Sequence, residues 1–227
     1  MDTLTRLAGE LAALPPSVGP VRLVAVDGHA GSGKSTFAGR LAEALGGAPV
    51  LPLDSLASHA EPFGWTGRLR RQVLEPFERG RTAHYAPYDW IERRYRTPLP
   101  LPAAPVVLVE GVGAGRRALR PSLACQLWMD VPAAEAWRCG RRRDGPALDA
   151  FWDGWEAAER RHFAADPSRP YARLLIRRRA GGHGESGGYD VFSGPDFPPA
   201  HPPGDTQRIT ESEVERKRRQ GGAGSLL

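Results

Sequence analysis

The sequence predicts an α/β protein with three layers, in which helices cover both faces of a parallel sheet. Apolar runs of four to six residues alternate along the chain with longer segments whose apolar residues recur at helical spacing. No hairpin signal joins consecutive apolar runs, so we expect the strands to be parallel. A glycine-rich segment also lies directly between the first apolar run and a helical pattern. We therefore expect one domain over residues 1–179, followed by a tail over residues 180–227.

The first third of the chain supplies two helices and two strands. Leucines at helical spacing predict a helix within residues 1–16, and two adjacent prolines end it. Residues 21–26 are too apolar for a half-exposed strand, which indicates a central strand covered on both faces. After the glycine-rich segment, a second helix is predicted up to the Gly-Gly pair at 46–47, and residues 48–53 are predicted to be a short strand.

The remaining elements are predicted by the same patterns. Helical spacing marks three segments, at residues 69–79, 132–139 and 148–163. Apolar runs predict strands at residues 106–109, 126–129 and 171–176. Three stretches are left without an element, at residues 55–66, 84–95 and 98–105. From residue 180 onward Gly, Pro, Ser and charged residues dominate, so this tail has too little apolar surface to fold and is predicted to be disordered.

Composition narrows the class of protein. The chain has 227 residues, of which 41% are hydrophobic and 25% are charged, as in ordinary globular proteins. No apolar stretch is long enough for a membrane span or a signal peptide, so we expect a cytoplasmic protein without a membrane partner. Its two cysteines are not closely spaced, which predicts reduced thiols and no zinc site.

The glycine-rich segment, residues 28–35, has the sequence Gly-His-Ala-Gly-Ser-Gly-Lys-Ser and matches the pattern G-x-x-x-x-G-K-[ST]. Its glycines let backbone N–H groups turn toward an anion, and the helix that follows presents its positive end to the same charge. Lys34 would reach the β- and γ-phosphates of a nucleoside triphosphate, and the Ser35 hydroxyl would bind Mg²⁺. Only two lysines occur in the chain, so a lysine kept at this position strengthens the interpretation. The predicted nucleotide-binding residues are Gly28, His29, Ala30, Gly31, Ser32, Gly33, Lys34, Ser35 and Thr36.

Two acidic residues follow predicted strands. Asp54 lies at the carboxyl end of the second strand, where groups gather around the ligand in an open parallel sheet. Its carboxylate would accept the proton of an attacking hydroxyl or hold Mg²⁺ through water, although it could also cap a local turn. Glu110 ends a buried strand, and because an unpaired buried acid is costly, it is predicted to be a metal ligand together with Ser35.

An arginine cluster at residues 141–143 lies within the segment 140–149, which we interpret as a lid. Guanidinium groups on such a segment can close over a phosphoryl group during its transfer and neutralise the developing charge. An arginine run is more often a solvated surface, and composition does not say which member would act.

The order of these features resembles the uridine kinase family, in the nucleoside and nucleotide kinase branch of phosphate-loop (P-loop) proteins. Asp54 falls where that family has its catalytic aspartate, and Tyr88-Asp89-Trp90 resembles its Tyr-Asp-Phe substrate element. Residues 107–111 resemble the Phe-Glu-Gly strand of the family.

The last similarity lies in the segment interpreted as a lid, where Arg143-Asp144 resembles the Arg-Asp pair of the family's lid. The similarity covers residues 21–176 and leaves the tail out. It implies a P-loop NTPase fold and transfer of the γ-phosphoryl group of ATP to the 5′-hydroxyl of a pyrimidine nucleoside, such as uridine or cytidine. It also implies that Asp54 is the general base and that Lys34 and Arg143 neutralise charge on the phosphates.

The acceptor side departs from that family. Tyr88 is expected against the base or sugar, and Trp65 and Trp90 are expected to flank the acceptor pocket. Arg93 stands where a histidine that contacts the nucleobase is expected, and the residues that hold the ribose are not recognisable in residues 55–65. The acceptor could therefore be another nucleoside or an unrelated small alcohol.

Two other functions remain open at this point. A nucleotide-dependent switch or assembly protein would keep the loop and lack an acceptor pocket; ATP consumption that nucleosides stimulate would argue against it. A nucleic-acid-binding protein would use the arginine runs, but the net charge of +5 is modest and no known binding module is present, so we expect no nucleic-acid partner. The sequence does not indicate an oligomeric state.

Overall fold

A central sheet organises the part of the chain that the computed structural model describes, residues 2–179 and 188–195. The strands are β1 (Arg22–Asp27), β2 (Val50–Pro52), β3 (Ala83–Tyr85), β4 (Tyr88–Asp89), β5 (Arg94–Tyr95), β6 (Leu99–Leu101), β7 (Val106–Glu110), β8 (Cys125–Met129), β9 (Leu174–Arg178) and β10 (Tyr189–Ser193). Six of them form the central sheet in the order β10-β9-β8-β1-β7-β2. The predicted parallel pairing is confirmed for β2, β7, β1, β8 and β9.

Strand β10 corrects the prediction that the chain is disordered from residue 180 onward. It pairs antiparallel with β9, with Tyr189 opposite Arg178. An edge strand needs only one apolar face to pack on the protein. The buried ring of Tyr189 provides this face by packing on Phe37, with the ring centroids 4.9 Å apart. The other residues of the predicted tail lie outside the described residues.

Helices cover both faces of the sheet, as predicted. They are α1 (Thr3–Ala12), α2 (Lys34–Ala44), α3 (Thr66–Leu69), α4 (Glu75–Glu78), α5 (Ala133–Asp144) and α6 (Asp149–Ala165). A π-helical turn, Arg70–Leu74, joins α3 to α4 in one helical stretch. Among the described residues, none of these helices has the length and apolar character that a bilayer crossing needs.

Alternation along the central strands builds two separate cores. In β1, Leu23 and Ala25 pack into the core beneath the α3–α4 stretch, whereas Val24 and Val26 pack into the core beneath α1 and α2. Strand β1 is buried along nearly its whole length because it has covered neighbours on both faces. This arrangement gives the three layers that the sequence predicts.

Short antiparallel pairs occupy the stretches at residues 84–95 and 98–105, which the sequence left without an element. Strand β3 pairs with β6, and β4 pairs with β5. The sequence did not reveal β6 because prolines alternate with its leucines, and proline is tolerated where a strand lies at an edge. Ala83 and Leu101 anchor the first pair in the core.

The segment expected to be a lid is largely helical. Its arginines form the last turn of α5, which ends at Gly145 with a left-handed φ of 78°. A 3-10 turn, Pro146–Leu148, then leads directly into α6.

Candidate active site

The glycine-rich loop, residues 28–35, lies between the carboxyl end of β1 and the first turn of α2. Gly33 caps the helix with φ 89°. The first N–H groups of a helix have no carbonyl partner inside it, so the first turn of α2 offers donors to an anion. At Gly31, with φ 82°, an added Cβ would lie 2.0 Å from the carbonyl oxygen of Ala136 in α5, so only glycine fits there.

Polar side chains inside the loop fit a bound phosphate and a magnesium ion. Lys34 is buried, and its Nζ donates to the carbonyl oxygen of His29 at 2.9 Å. The Ser35 hydroxyl donates to Oε1 of Glu110 at 2.9 Å, which places together the hydroxyl and carboxylate oxygens that Mg²⁺ prefers. The buried Ser32 hydroxyl has no hydrogen-bond partner among the described residues. The chemistry of these groups therefore suits both ligands.

Asp54 faces the same space from the other side. It lies in a 3-10 turn, Leu53–Ser55, just after β2, and it lines a cavity of about 250 Å³ with Lys34, Glu110 and Arg143. Its carboxylate accepts no hydrogen bond from the described residues and is open to the cleft. The protein around it raises the pKa of Asp54 through desolvation, which Lys34 and Arg143 oppose. An unbonded carboxylate beside a phosphate loop is suited to accept a proton.

Glu110 lies across this cavity from Asp54 and is 7% exposed. Burial raises the pKa of Glu110, whereas the charge of Lys34 and the hydrogen bond from Ser35 lower it. A metal ion beside the carboxylate would remove the cost of keeping it charged.

The three neighbouring arginines point in different directions because they follow one another on a helix. Arg141 binds carboxylates of α6, with Nε 2.9 Å from Oε1 of Glu156, and thereby ties α5 to α6. Arg142 lines the larger cavity described next, and Arg143 lines the Asp54 cavity. Arg143 also makes two hydrogen bonds to Asp144, at 2.6 and 2.9 Å, and this pair is the Arg-Asp pair that the resemblance singled out.

A cavity of about 600 Å³ opens on the far side of the loop. Its walls come from the loop, from the segment after β8, from α5 and from the end of β9, and include Thr36, Arg142, Arg178 and Tyr189. This volume is typical of small-molecule sites. It continues from the phosphate loop and is large enough for the nucleoside part of a nucleotide.

A third cavity, of about 240 Å³, adjoins Asp54 on the opposite side. Trp90 comes from the turn after β4, whereas Phe151 and Trp155 come from α6, and Arg143 completes the wall. Phe151 and Trp155 lie nearly parallel, with ring centroids 6.0 Å apart and an interplanar angle of 24°. An acceptor in this cavity would have its hydroxyl near Asp54 and its body against aromatic rings.

The structure separates the other residues expected at the acceptor. Tyr88 is half-buried in an aromatic cluster, and its hydroxyl lies 3.0 Å from Nδ1 of His59. Arg93 is exposed at the tip of the β4–β5 hairpin with φ 53° and lines none of the cavities described above.

The prediction that Trp65 flanks the acceptor is wrong. Its side chain is 2% exposed and packs in the core, where the Arg116 guanidinium lies over the ring at 3.9 Å. Closeness to Asp54 in sequence did not determine which way the indole points, and burial of its large apolar surface decided it.

Two buried carboxylates that contact the loop were not predicted from the sequence. Asp27 is fully buried at the end of β1, where Oδ1 accepts from the N–H groups of Gly28 at 2.7 Å and Gly113 at 2.8 Å, and Oδ2 accepts from Gly115 at 2.8 Å. The rule that identified Glu110, an acid at the end of a buried strand, would have found it. Glu159, in the middle of α6, contacts the loop and has no such signal in the sequence.

The His29 side chain lines none of the three cavities described around the loop. Its Nδ1 lies 2.6 Å from Oε1 of Glu159, and its ring packs edge-on against Trp128 and Phe163. Its contribution to the loop is made through the backbone.

Comparison with solved structures shows the fold. A "possible uridine kinase" from Bacillus stearothermophilus is 18% identical, with 70% of this chain and 94% of that one covered and a TM-score of 0.47. A provisionally named fructose transport system kinase from Silicibacter sp. TM1040 is 24% identical, with 73% and 96% covered and a TM-score of 0.50. No model of a protein family matches the chain, and no curated protein matches it. The second likeness shows that the chain shares its fold with a solved structure, and the predicted α/β fold class is confirmed.

Proposed function

We propose that the protein is an ATP- and Mg²⁺-dependent kinase that transfers the γ-phosphoryl group of ATP to a hydroxyl of a small molecule. One observation carries this proposal: Lys34, Ser35, Asp54, Glu110 and Arg143 line a single cavity beside the phosphate loop. A phosphate loop alone is consistent with a switch protein, but a free carboxylate facing it from the turn after β2 is what transfer to a hydroxyl requires.

Each of these residues has a role in the proposed reaction. The acceptor oxygen forms a bond to the γ-phosphorus while the bond to the β,γ-bridging oxygen breaks, and ADP leaves. Asp54 takes the proton of the acceptor hydroxyl. Lys34 and Arg143 neutralise charge on the transferred group, and the loop N–H groups orient the phosphates. Ser35 and Glu110 would hold Mg²⁺, which would neutralise part of the phosphate charge.

Our first candidate for the acceptor is a nucleoside such as uridine or cytidine, as the resemblance implies. The aromatic wall of Trp90, Phe151 and Trp155 supports an acceptor with a planar ring.

A second candidate is a kinase of a non-nucleoside alcohol. The departures at residues 55–65 and the exposed position of Arg93 favour it, because neither supplies the sugar and base contacts that the uridine kinase resemblance implies.

A screen of nucleosides, sugars and small alcohols with ATP and Mg²⁺, assayed by phosphorylated product, tests the proposal. We expect one acceptor class to be phosphorylated and the Lys34→Ala protein to be inactive while its thermal unfolding is unchanged. ATP binding without transfer to any acceptor would favour the switch protein instead, and a Lys34→Ala protein with the normal rate would contradict the mechanism.

A further inference from the structure

Glu159 is a fully buried carboxylate that connects α6 to the phosphate loop. Its Oε1 lies 2.6 Å from Nδ1 of His29 and 3.0 Å from Nε1 of Trp137. Its Oε2 accepts from the backbone N–H of Ala30 at 3.1 Å and from Nε1 of Trp155 at 2.9 Å. Each oxygen thus has two donors, and two of the four belong to the loop.

These contacts stabilise the ionised form of the buried carboxylate. Burial opposes ionisation, but the hydrogen bonds from His29 and Ala30 outweigh it and hold the pKa of Glu159 below its ordinary value. A buried charge with all its hydrogen bonds made is costly to disturb, because losing a donor leaves part of the charge unsatisfied. Glu159 therefore fixes the groups that donate to it.

The donors lead directly to the groups proposed for transfer. The carbonyl oxygen of His29 accepts the hydrogen bond from Lys34 at 2.9 Å, so the residue that Glu159 holds also sets the position of the Lys34 ammonium. Trp155 lines both the Asp54 cavity and the aromatic cavity. One carboxylate thus contacts the phosphate loop and a wall of the acceptor side.

We propose that Glu159 is a positioning residue, which clamps the His29–Ala30 part of the loop to α6 and keeps the loop in its anion-binding shape before nucleotide arrives. This inference rests on the proposed function only in taking ATP as the ligand of the loop. It predicts that the loop loses affinity for ATP when the carboxylate cannot accept four donors.

Glu159→Gln tests the clamp, with ATP affinity measured by calorimetry in the absence of any acceptor. Glutamine keeps the size of the side chain but turns an NH₂ group toward two of the four donors, so we expect ATP to bind about tenfold more weakly.

Two matched controls separate the clamp from the stability of α6. Glu156→Gln changes a carboxylate one turn earlier, which binds Arg141 and Arg160 rather than the loop. Trp137→Phe removes one donor to Glu159 and leaves both loop contacts. For both controls we expect an affinity within about twofold of the parent protein. Thermal unfolding of each variant shows whether it is folded, and a purely structural role would lower the unfolding temperature without weakening ATP binding by the folded protein.

If Glu159→Gln does not fold, His29→Phe replaces it, since phenylalanine keeps a ring among the aromatic neighbours and removes the donor to Glu159. ATP binding by the folded Glu159→Gln or His29→Phe protein as tight as that of Glu156→Gln would overturn the clamp. If the parent protein binds ATP but phosphorylates no acceptor, the proposed function fails, and the comparison of affinities still decides the role of Glu159.

Discussion

The loop that would hold the phosphates is made of backbone groups supported by buried polar residues, whereas the acceptor side is made of exposed and half-buried side chains. Behind the loop, Asp27 and Glu159 are both fully buried and fully hydrogen-bonded. On the acceptor side, Asp54 is open to the cleft and Phe151 is 44% exposed. Groups fixed by many hydrogen bonds suit a ligand part that is always the same, such as a triphosphate. An open aromatic wall can be changed residue by residue to suit different acceptors.

Asp27→Asn is expected to have the largest effect on stability, because it disturbs a buried carboxylate that ties the start of the loop to the segment after β7. Asparagine keeps one oxygen but sets an NH₂ group against an N–H donor, which we expect to lower the free energy of unfolding by about 1–3 kcal/mol. Urea unfolding measures this. Asp153→Asn, at a carboxylate with a side chain 75% exposed, is the control and should cost less than about 1 kcal/mol. Equal losses of unfolding free energy in Asp27→Asn and Asp153→Asn would mean that Asp27 contributes no more to stability than an exposed carboxylate does.

Trp90→Ala should alter the acceptor side alone. Removing the indole takes away part of the aromatic wall, so we expect the KM for the acceptor to rise about tenfold while the KM for ATP stays the same. Tyr171→Ala, at an exposed tyrosine beside a cavity remote from the loop, is the matched control. A change in the KM for ATP rather than in the KM for the acceptor would show that the phosphate loop and the acceptor side do not act separately.

The pH dependence of kcat/KM tests the acceptor side through Asp54. Asp54 must be ionised to accept a proton, and desolvation raises its pKa above the ordinary value of 3.8 despite Lys34 and Arg143. The value of kcat/KM should therefore fall as the pH decreases, with the midpoint of the fall above 3.8. Circular dichroism over the same range checks that the protein stays folded. A profile that stays flat down to pH 3.8 would exclude this carboxyl as the base.

Arg93→Gly should have the smallest effect. Arg93 is exposed and has φ 53°, a conformation that glycine adopts without strain, so stability should stay the same or rise by less than about 1 kcal/mol. The KM for the acceptor should not change, which kinetics on the identified acceptor would check. A large rise in that KM would show that Arg93 contacts the acceptor, which would contradict its exposed position at the tip of the β4–β5 hairpin.

The parts of the site that could be predicted from sequence are those that lie at strand ends. Apolar runs locate buried strands, and the topology of a parallel sheet then brings Lys34, Asp54 and Glu110 to one edge. Asp27 also lies at the end of a buried strand, so the same rule could have identified it from the sequence. Such residues are fixed by local pattern together with one general property of the fold.

The parts that could not be predicted depend on how helices and hairpins pack on that sheet. Glu159 faces the loop only because α6 lies beside it, and nothing in the sequence around Glu159 marks it. Trp65 and Trp90 are the same residue type and both follow Asp54 in the chain, yet one is in the core and the other lines a cavity. Only the three-dimensional arrangement distinguishes them.

The measurement that tests the central claim most directly is the rate of phosphoryl transfer by Asp54→Asn at saturating ATP. Asparagine keeps the shape of the side chain and cannot take the proton, and Asp54 makes no hydrogen bond to the described residues that the fold would lose. We expect kcat to fall about 10³-fold while the affinity for ATP changes by less than about threefold. An Asp54→Asn protein that transfers the phosphoryl group at the rate of the parent protein would contradict the account.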